Sequence, residues 1–218
     1  MNMEGTNASI TLVLVVLTGF ISWQGFRNPD FLHKMMFSPW QVKRRGEYQR
    51  FLTAGFVHGN WMHLAVNLYV LYQFGEIAEV FFQYLMGPVA GPISFIVFYL
   101  SALAVSSLPS FLRHQDNHWY AELGASGATS ALVFVYILMD PWQWFLFPPM
   151  PAVLLGAVYL WYSQYMGRHN PEDHIAHNAH FIGALYGVAY VVIASLAFRP
   201  AFLQQFVANL MQGPSWPF

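Results

Sequence analysis

A serine that attacks a peptide carbonyl needs a base to take its proton, N–H donors for the oxyanion, and neighbours small enough to admit another backbone. Gly124-Ala125-Ser126-Gly127 supplies the small neighbours. An apolar run from Ala128 to Met139 follows and predicts a helix that starts at Ser126. Backbone N–H groups at a helix N-terminus lack intrahelical partners, and the dipole there favours negative charge. Gly-x-Ser-Gly also arises in turns and as an ordinary N-cap, so the tetrapeptide alone does not assign a nucleophile. Two further polar sets lie in apolar surroundings. His63 and Asn67 are spaced to share a helix face, and both can donate hydrogen bonds toward an oxyanion. His180 shares a face with Gly183, Ala184 and Gly187. Such a small face lets a neighbouring helix come close, and Gly127, Ser130 and Ala131 offer a matching one. Contact between them brings His180 within reach of Ser126, as a serine–histidine pair requires.

Blander roles stay open for each residue. His63 could be a core histidine bonded to a carbonyl, Asn67 could join two helices, and the glycines are packing residues. A metal site is the other sharp reading. His174, His177 and His180 are spaced by three, and His114, Asp116 and His118 share a loop. Spacing of three drifts by about 60° per step around a helix, and the His-Glu-x-x-His pattern is absent. No metal and no cofactor is expected.

Composition sets the stage for these residues. The 218-residue chain is 56% hydrophobic and 9% charged, against about 25% charged in soluble domains. Mean hydropathy is +0.40. These values predict an all-α polytopic membrane protein forming one domain over residues 1–218. A net charge of −1 gives no sign of nucleic-acid binding. With no cysteine, disulfides, iron–sulfur clusters and thiolate metal sites are excluded. Met1 to Asn7 lack the basic region of a signal peptide, so the first apolar run is expected to be a retained helix.

Six helices are predicted. Helix 1 covers Ala8 to Trp23. The connector 24–56 mixes Arg27, Lys34, Lys43, Arg44, Arg45 and Arg50 with Phe31, Phe37, Trp40 and Tyr48, which suggests a segment lying in the membrane interface. Helix 2 covers Asn60 to Leu85, with Glu76 and Glu79 toward its far end and partners at the interface. A turn at Gly87-Pro88 and Gly91-Pro92 leads to helix 3, Ile93 to Leu112. Helix 4 covers Ser126 to Met139 and rises only about 21 Å against a hydrocarbon core of about 30 Å. Its serine is therefore expected below the membrane surface. Trp142 to Pro149 form an aromatic turn, helix 5 covers Ala152 to Met166 and helix 6 His174 to Phe198. The tail 199–218 is expected to be loosely ordered. Helix parity puts His63, Ser126 and His180 near ends on the same side.

With these residues in place, the sequence resembles the rhomboid intramembrane serine proteases across helices 2 to 6 and much of the first connector. Three motifs carry the likeness: His58-x4-His63-x3-Asn67, Gly124-x-Ser126-Gly127, and Ala179-His180-x2-Gly183-x3-Gly187. The resemblance implies a six-transmembrane-helix bundle with a short fourth helix. It implies Ser126 as nucleophile and His180 as general base, with His63, Asn67 and the Ser126 N–H as oxyanion hole. His58 would support this region, and Arg50 resembles the arginine of a Trp-Arg pair whose tryptophan is here Gln49. The family often has a tyrosine one turn after the nucleophile that packs on the catalytic histidine; here it is Ser130.

The implied activity is hydrolysis of peptide bonds in or near transmembrane segments, with membrane-spanning proteins as substrates and lipids as surroundings. The implied location is a bacterial inner membrane with the site on the extracytoplasmic side. Basic residues argue the other way: all but Arg199 lie in the first, third and fifth loops, which the positive-inside rule makes cytoplasmic. An inactive rhomboid-like client binder, a small transporter and a histidine-dependent metalloenzyme are the competing classes.

Overall fold

The computed structural model describes residues 9–145, 149–169 and 177–214. Met1 to Asn7, His174 and part of the aromatic turn lie outside the described residues. α1 (Ser9–Arg27) outruns the predicted first helix. Three short helices and a 3-10 turn follow: α2 (Pro29–Met35), α3 (Pro39–Arg45), α4 (Arg50–Thr53) and Ala54–Phe56. Asn28 and Ser38 explain the restarts. Their side-chain oxygens accept the Phe31 and Gln41 N–H groups, and Pro29 and Pro39 fill first-turn positions that need no donor. Phe37 and Glu122 exchange backbone hydrogen bonds at 2.9 and 3.0 Å, tying this connector to the third loop.

α5 (Trp61–Ser106) holds two predicted helices in one run. Only Gly87 leaves helical geometry, at φ 85°, a region costly for a side-chain-bearing residue. The expected turn through Pro92 therefore shrinks to this one residue, with Pro88 opening the next helical stretch. The two arms double back on each other. Thr129 reaches Asn67 at 3.3 Å, and Ser106 abuts Gly127, so both far ends meet at the start of the next long helix. Phe82 packs on Phe95 and Phe98 across the bend.

α6 (Leu108–His114) precedes α7 (Ser126–Met139), whose bounds are those predicted. Gly127 to Leu132, Phe134, Val135, Ile137 and Leu138 are all buried. A helix apolar on every side belongs at the centre of a bundle, and α7 sits there. A small hairpin, β1 (Trp144–Phe145) and β2 (Met150–Pro151), leads to α8 (Ala152–His169), α9 (His177–Phe198) and α10 (Ala201–Gln212). α5, α8 and α9 pack around α7.

Among the described residues, length and apolar character qualify three segments to cross a membrane, Ser9–Arg27, Trp61–His114 and His177–Phe198, against the six predicted spans. Gly87 joins two of the six into one run, α7 has only 14 residues, and α8 ends on the polar Gln164, Arg168 and His169.

The tail is not loosely ordered over 201–212: Phe202 is buried against Phe81, and Trp142 Nε1 donates to the Asn209 and Leu210 carbonyls at 2.9 and 3.2 Å. Glu79 is not an interface residue. It is 1% exposed, and its carboxylate accepts the Ile10 and Thr11 N–H groups at 3.1 and 2.8 Å and the Thr11 hydroxyl at 2.8 Å. The open donors at the start of α1 attract the carboxylate inward.

Candidate active site

The segment before Ser126 is pinned from three sides. Gly124 takes φ 113° and donates its N–H to the Ala54 carbonyl at 2.9 Å. The His63 ring lies against it: a Cβ at Gly124 would be 2.6 Å from His63 Cε1. Only glycine satisfies both the angle and the contact. The Ala125 N–H donates to His58 Nε2 at 3.4 Å.

The proton positions on His58 follow from its neighbours. Ser22 donates its single hydroxyl hydrogen to the Phe56 carbonyl at 2.9 Å. His58 Nδ1, 2.9 Å from Ser22 Oγ, is then the N–H donor, and Nε2 is the bare acceptor for Ala125. This neutral ring is fully buried. Burial, then the nearby His63, push its pKa down to about 3. His58 thus links α1, the connector and the Ser126 segment.

On α5, Asn60 caps the helix by accepting the His63 N–H at 2.8 Å. Asn67 Nδ2 donates to the His63 carbonyl at 2.9 Å, which takes one of its two hydrogens and leaves the other. Its Oδ1 accepts from Thr129 Oγ1 at 3.3 Å. Thr129 also lies 3.2 Å from the Ser126 carbonyl. Nothing in the sequence singled out Thr129. It sits three positions after Ser126, the spacing that puts it on the same face.

The small faces of α7 and α9 meet. A Cβ at Gly183 would collide with the Gly127 carbonyl oxygen, and one at Gly187 would lie 2.5 Å from the Ala131 carbonyl oxygen. Ala179, the neighbour of His180, brings its own carbonyl to Gly127. No hydrogen bond joins Ser126 Oγ to the His180 ring among the described residues; the two segments meet through this backbone contact. A small cavity beside Ser126 is lined by Ser106, Ser107, Glu122 and Gly124.

Ser130 does not leave an empty place beside His180. Tyr159 of α8 stacks on the His180 ring, centroids 6.2 Å apart and planes at 20°. Its hydroxyl lies 2.6 Å from Ser130 Oγ. His177 is buried with its ring edge-on to His180 at 6.1 Å. Arg50 stands elsewhere. It binds Glu47 at 2.6 Å and the His33 and Met36 carbonyls at 2.9 and 2.6 Å, so it folds the connector. Among the described residues no group of three His, Cys, Asp or Glu could hold a metal ion; His174 lies outside them.

The model of the rhomboid domain family matches residues 45–197 of this chain. The chain belongs to the rhomboid family. This rhomboid chain is 27% identical to the RHOMBOID-like protein 12, mitochondrial, of Arabidopsis thaliana, a match covering 89% of the chain and 61% of the relative. It is 30% identical to the Rhomboid-like protein 11, chloroplastic, of the same plant, over 68% of the chain and 53% of the relative. The chain thus spans under two thirds of either relative. Their names place those proteins in organelles and lend no support to the expected bacterial inner membrane. The apolar helices make this rhomboid an integral membrane protein.

Proposed function

We propose that this rhomboid is an intramembrane serine endopeptidase that cuts membrane-spanning proteins. Ser126 Oγ attacks the carbonyl carbon while the His180 imidazole takes the hydroxyl proton. The tetrahedral oxyanion receives the Ser126 N–H, the free Asn67 N–H and the His63 ring. His180 returns the proton to the leaving amine, and the acyl-serine left behind is hydrolysed by water activated on the same imidazole. The α7–α9 contact at Gly183 and Gly127 carries this reading, since it brings the His180 backbone beside the Ser126 turn. Catalytic hydrogen bonds are often loose until substrate is bound, so side-chain rotation within this frame completes the pair.

The N-terminus of α7 supplies further unpaired N–H groups, and Ser126 begins a helix too short to span lipid. Both suit hydrolysis below the membrane surface. Substrate helices must unwind locally there, which favours small and helix-breaking residues near the cut. The polar loops between α5 and α7 open the site to water, and by family analogy we assign that side as extracytoplasmic. Cysteine labelling of Gln115→Cys from the cytoplasm alone would reverse that orientation.

The deciding experiment is cleavage of a model transmembrane substrate by the parent, Ser126→Ala and His180→Ala. Both variants are expected to be inert yet as heat-stable as the parent. Near-parental turnover in either removes the assignment. The competing reading is a client-binding rhomboid without activity, favoured by the absent Ser126–His180 hydrogen bond. A fluorophosphonate probe that labels the parent but not Ser126→Ala excludes it.

A further inference from the structure

We propose that Tyr159 is the positioning residue for His180, a role that rests on the proteolytic reading above. The position one turn after the nucleophile is a serine here, which has no ring to stack on the His180 imidazole. Tyr159 approaches from α8 instead. Its ring stacks on the imidazole at a separation and tilt within the favourable range for aromatic pairs.

Proton accounting fixes the direction of the hydroxyl bond. Ser130 Oγ lies 2.7 Å from the Ser126 carbonyl, which can only accept. Ser130 therefore spends its one hydrogen there, and the Tyr159 hydroxyl must donate to Ser130 Oγ at 2.6 Å. The result is a closed path. The ring of Tyr159 lies on the base, its hydroxyl is tied to Ser130, and Ser130 is tied to the carbonyl of the nucleophile itself. One side chain thereby registers His180 against the first turn of α7. Ser130 and Ser163 are both buried, and Ser163 is a second hydrogen-bond partner of the Tyr159 hydroxyl. Because Tyr159 belongs to α8, docking of α8 and orientation of the base become one event.

The test uses the full chain in detergent or bilayer and compares the parent, Tyr159→Phe and Tyr159→Leu. With a fluorophosphonate probe, Tyr159→Leu is expected to label roughly 10–100-fold more slowly at saturating probe, with half-saturation unchanged. Tyr159→Phe keeps the stacked ring and is expected to recover most of that rate. In parallel, nuclear magnetic resonance of labelled histidine reads the His180 ring protons. Stacking shifts them upfield in the parent and in Tyr159→Phe, and Tyr159→Leu loses the shift. Parental labelling by Tyr159→Leu, no advantage of Phe over Leu, or identical His180 shifts in all three proteins would each overturn the proposal. A parent that never labels removes the protease reading, while the His180 shifts still decide whether Tyr159 holds the ring.

Discussion

Glu79 holds Thr11 by two bonds, its Oε2 accepting both the backbone N–H and the hydroxyl at 2.8 Å. The Ile10 N–H joins them through Oε1. A buried carboxylate on one helix thus closes the open donors of another. Replacing it with alanine strands those donors where lipid offers no partner. Glu79→Ala is expected to lose about 3 kcal/mol of stability and Glu79→Gln less, since one oxygen remains to accept. Unfolding midpoints in detergent measure this; an alanine variant as stable as the parent would mean the α1 terminus finds other partners.

Gly183 and Gly187 test the α7–α9 contact. The added methyl group of Gly183→Ala or Gly187→Ala meets backbone oxygen rather than a movable side chain. The helices must separate, at a cost of about 1–3 kcal/mol each. Displacement of His180 should lower turnover more than stability alone explains. Gly213→Ala, where no atom lies nearby, serves as the comparison, although its φ of 76° carries a small cost of its own. Parental turnover in both α9 variants would show that the helices tolerate separation.

Thr129 orients the Asn67 carbonyl oxygen and thereby aims the remaining amide hydrogen. Thr129→Val keeps the shape and deletes the donor. Its kcat is expected to fall about tenfold with KM unchanged, a fraction of the effect of losing an oxyanion donor outright. Equal kcat in parent and variant would leave the His63 carbonyl as sufficient orienter.

Two groups outside the spans give stability opposite pH dependences. His58 is depressed to about 3 when folded and titrates near 6.5 unfolded. The unfolded chain therefore binds the extra proton first, and stability falls as pH drops below about 6.5. Glu122 behaves in reverse. Its Oε1 is buried without a partner, and burial raises its pKa above the usual carboxylate range, although Tyr120 and Ser110 hydrogen bonds pull it back. Its contribution is complete at low pH and is lost as pH rises through the folded pKa. Glu122→Gln should therefore gain stability relative to the parent at about pH 8 and not at about pH 4. His58→Gln should flatten the acid limb even if it is less stable overall. Unfolding midpoints across that range decide both, and parallel pH profiles for parent and variants would refute them.

What the sequence disclosed was local or periodic. The bounds of α7 followed from an apolar run after Ser126, and the glycine spacing behind His180 marked the face that meets α7. What it concealed depends on partners distant in the chain. Glu79 reads as an interface residue until Thr11 is seen beside it. Tyr159 reads as one aromatic among many until α8 is docked. The order of α10 depends on Phe202 finding Phe81, and no pattern within the tail announces that. Gly87 alone, rather than the proline-marked stretch after it, makes the turn, because proline is tolerated in the first turn of the second arm.

The encircled seat of α7 also bears on how the protein is made. The helix is short, and its glycine-lined wall is synthesised long after it, in α9. While the ribosome is still building α8, the Ser126 turn has its contacts to Ala54, His58 and His63 but lacks the wall that Gly183 lends to Gly127. A nascent chain stalled at Gly167 is expected to leave Gly124 to Gly127 more open to protease than a chain extended through α9, because only α9 brings Gly183 against Gly127. Closure of the nucleophile's turn thus waits for the synthesis of α9.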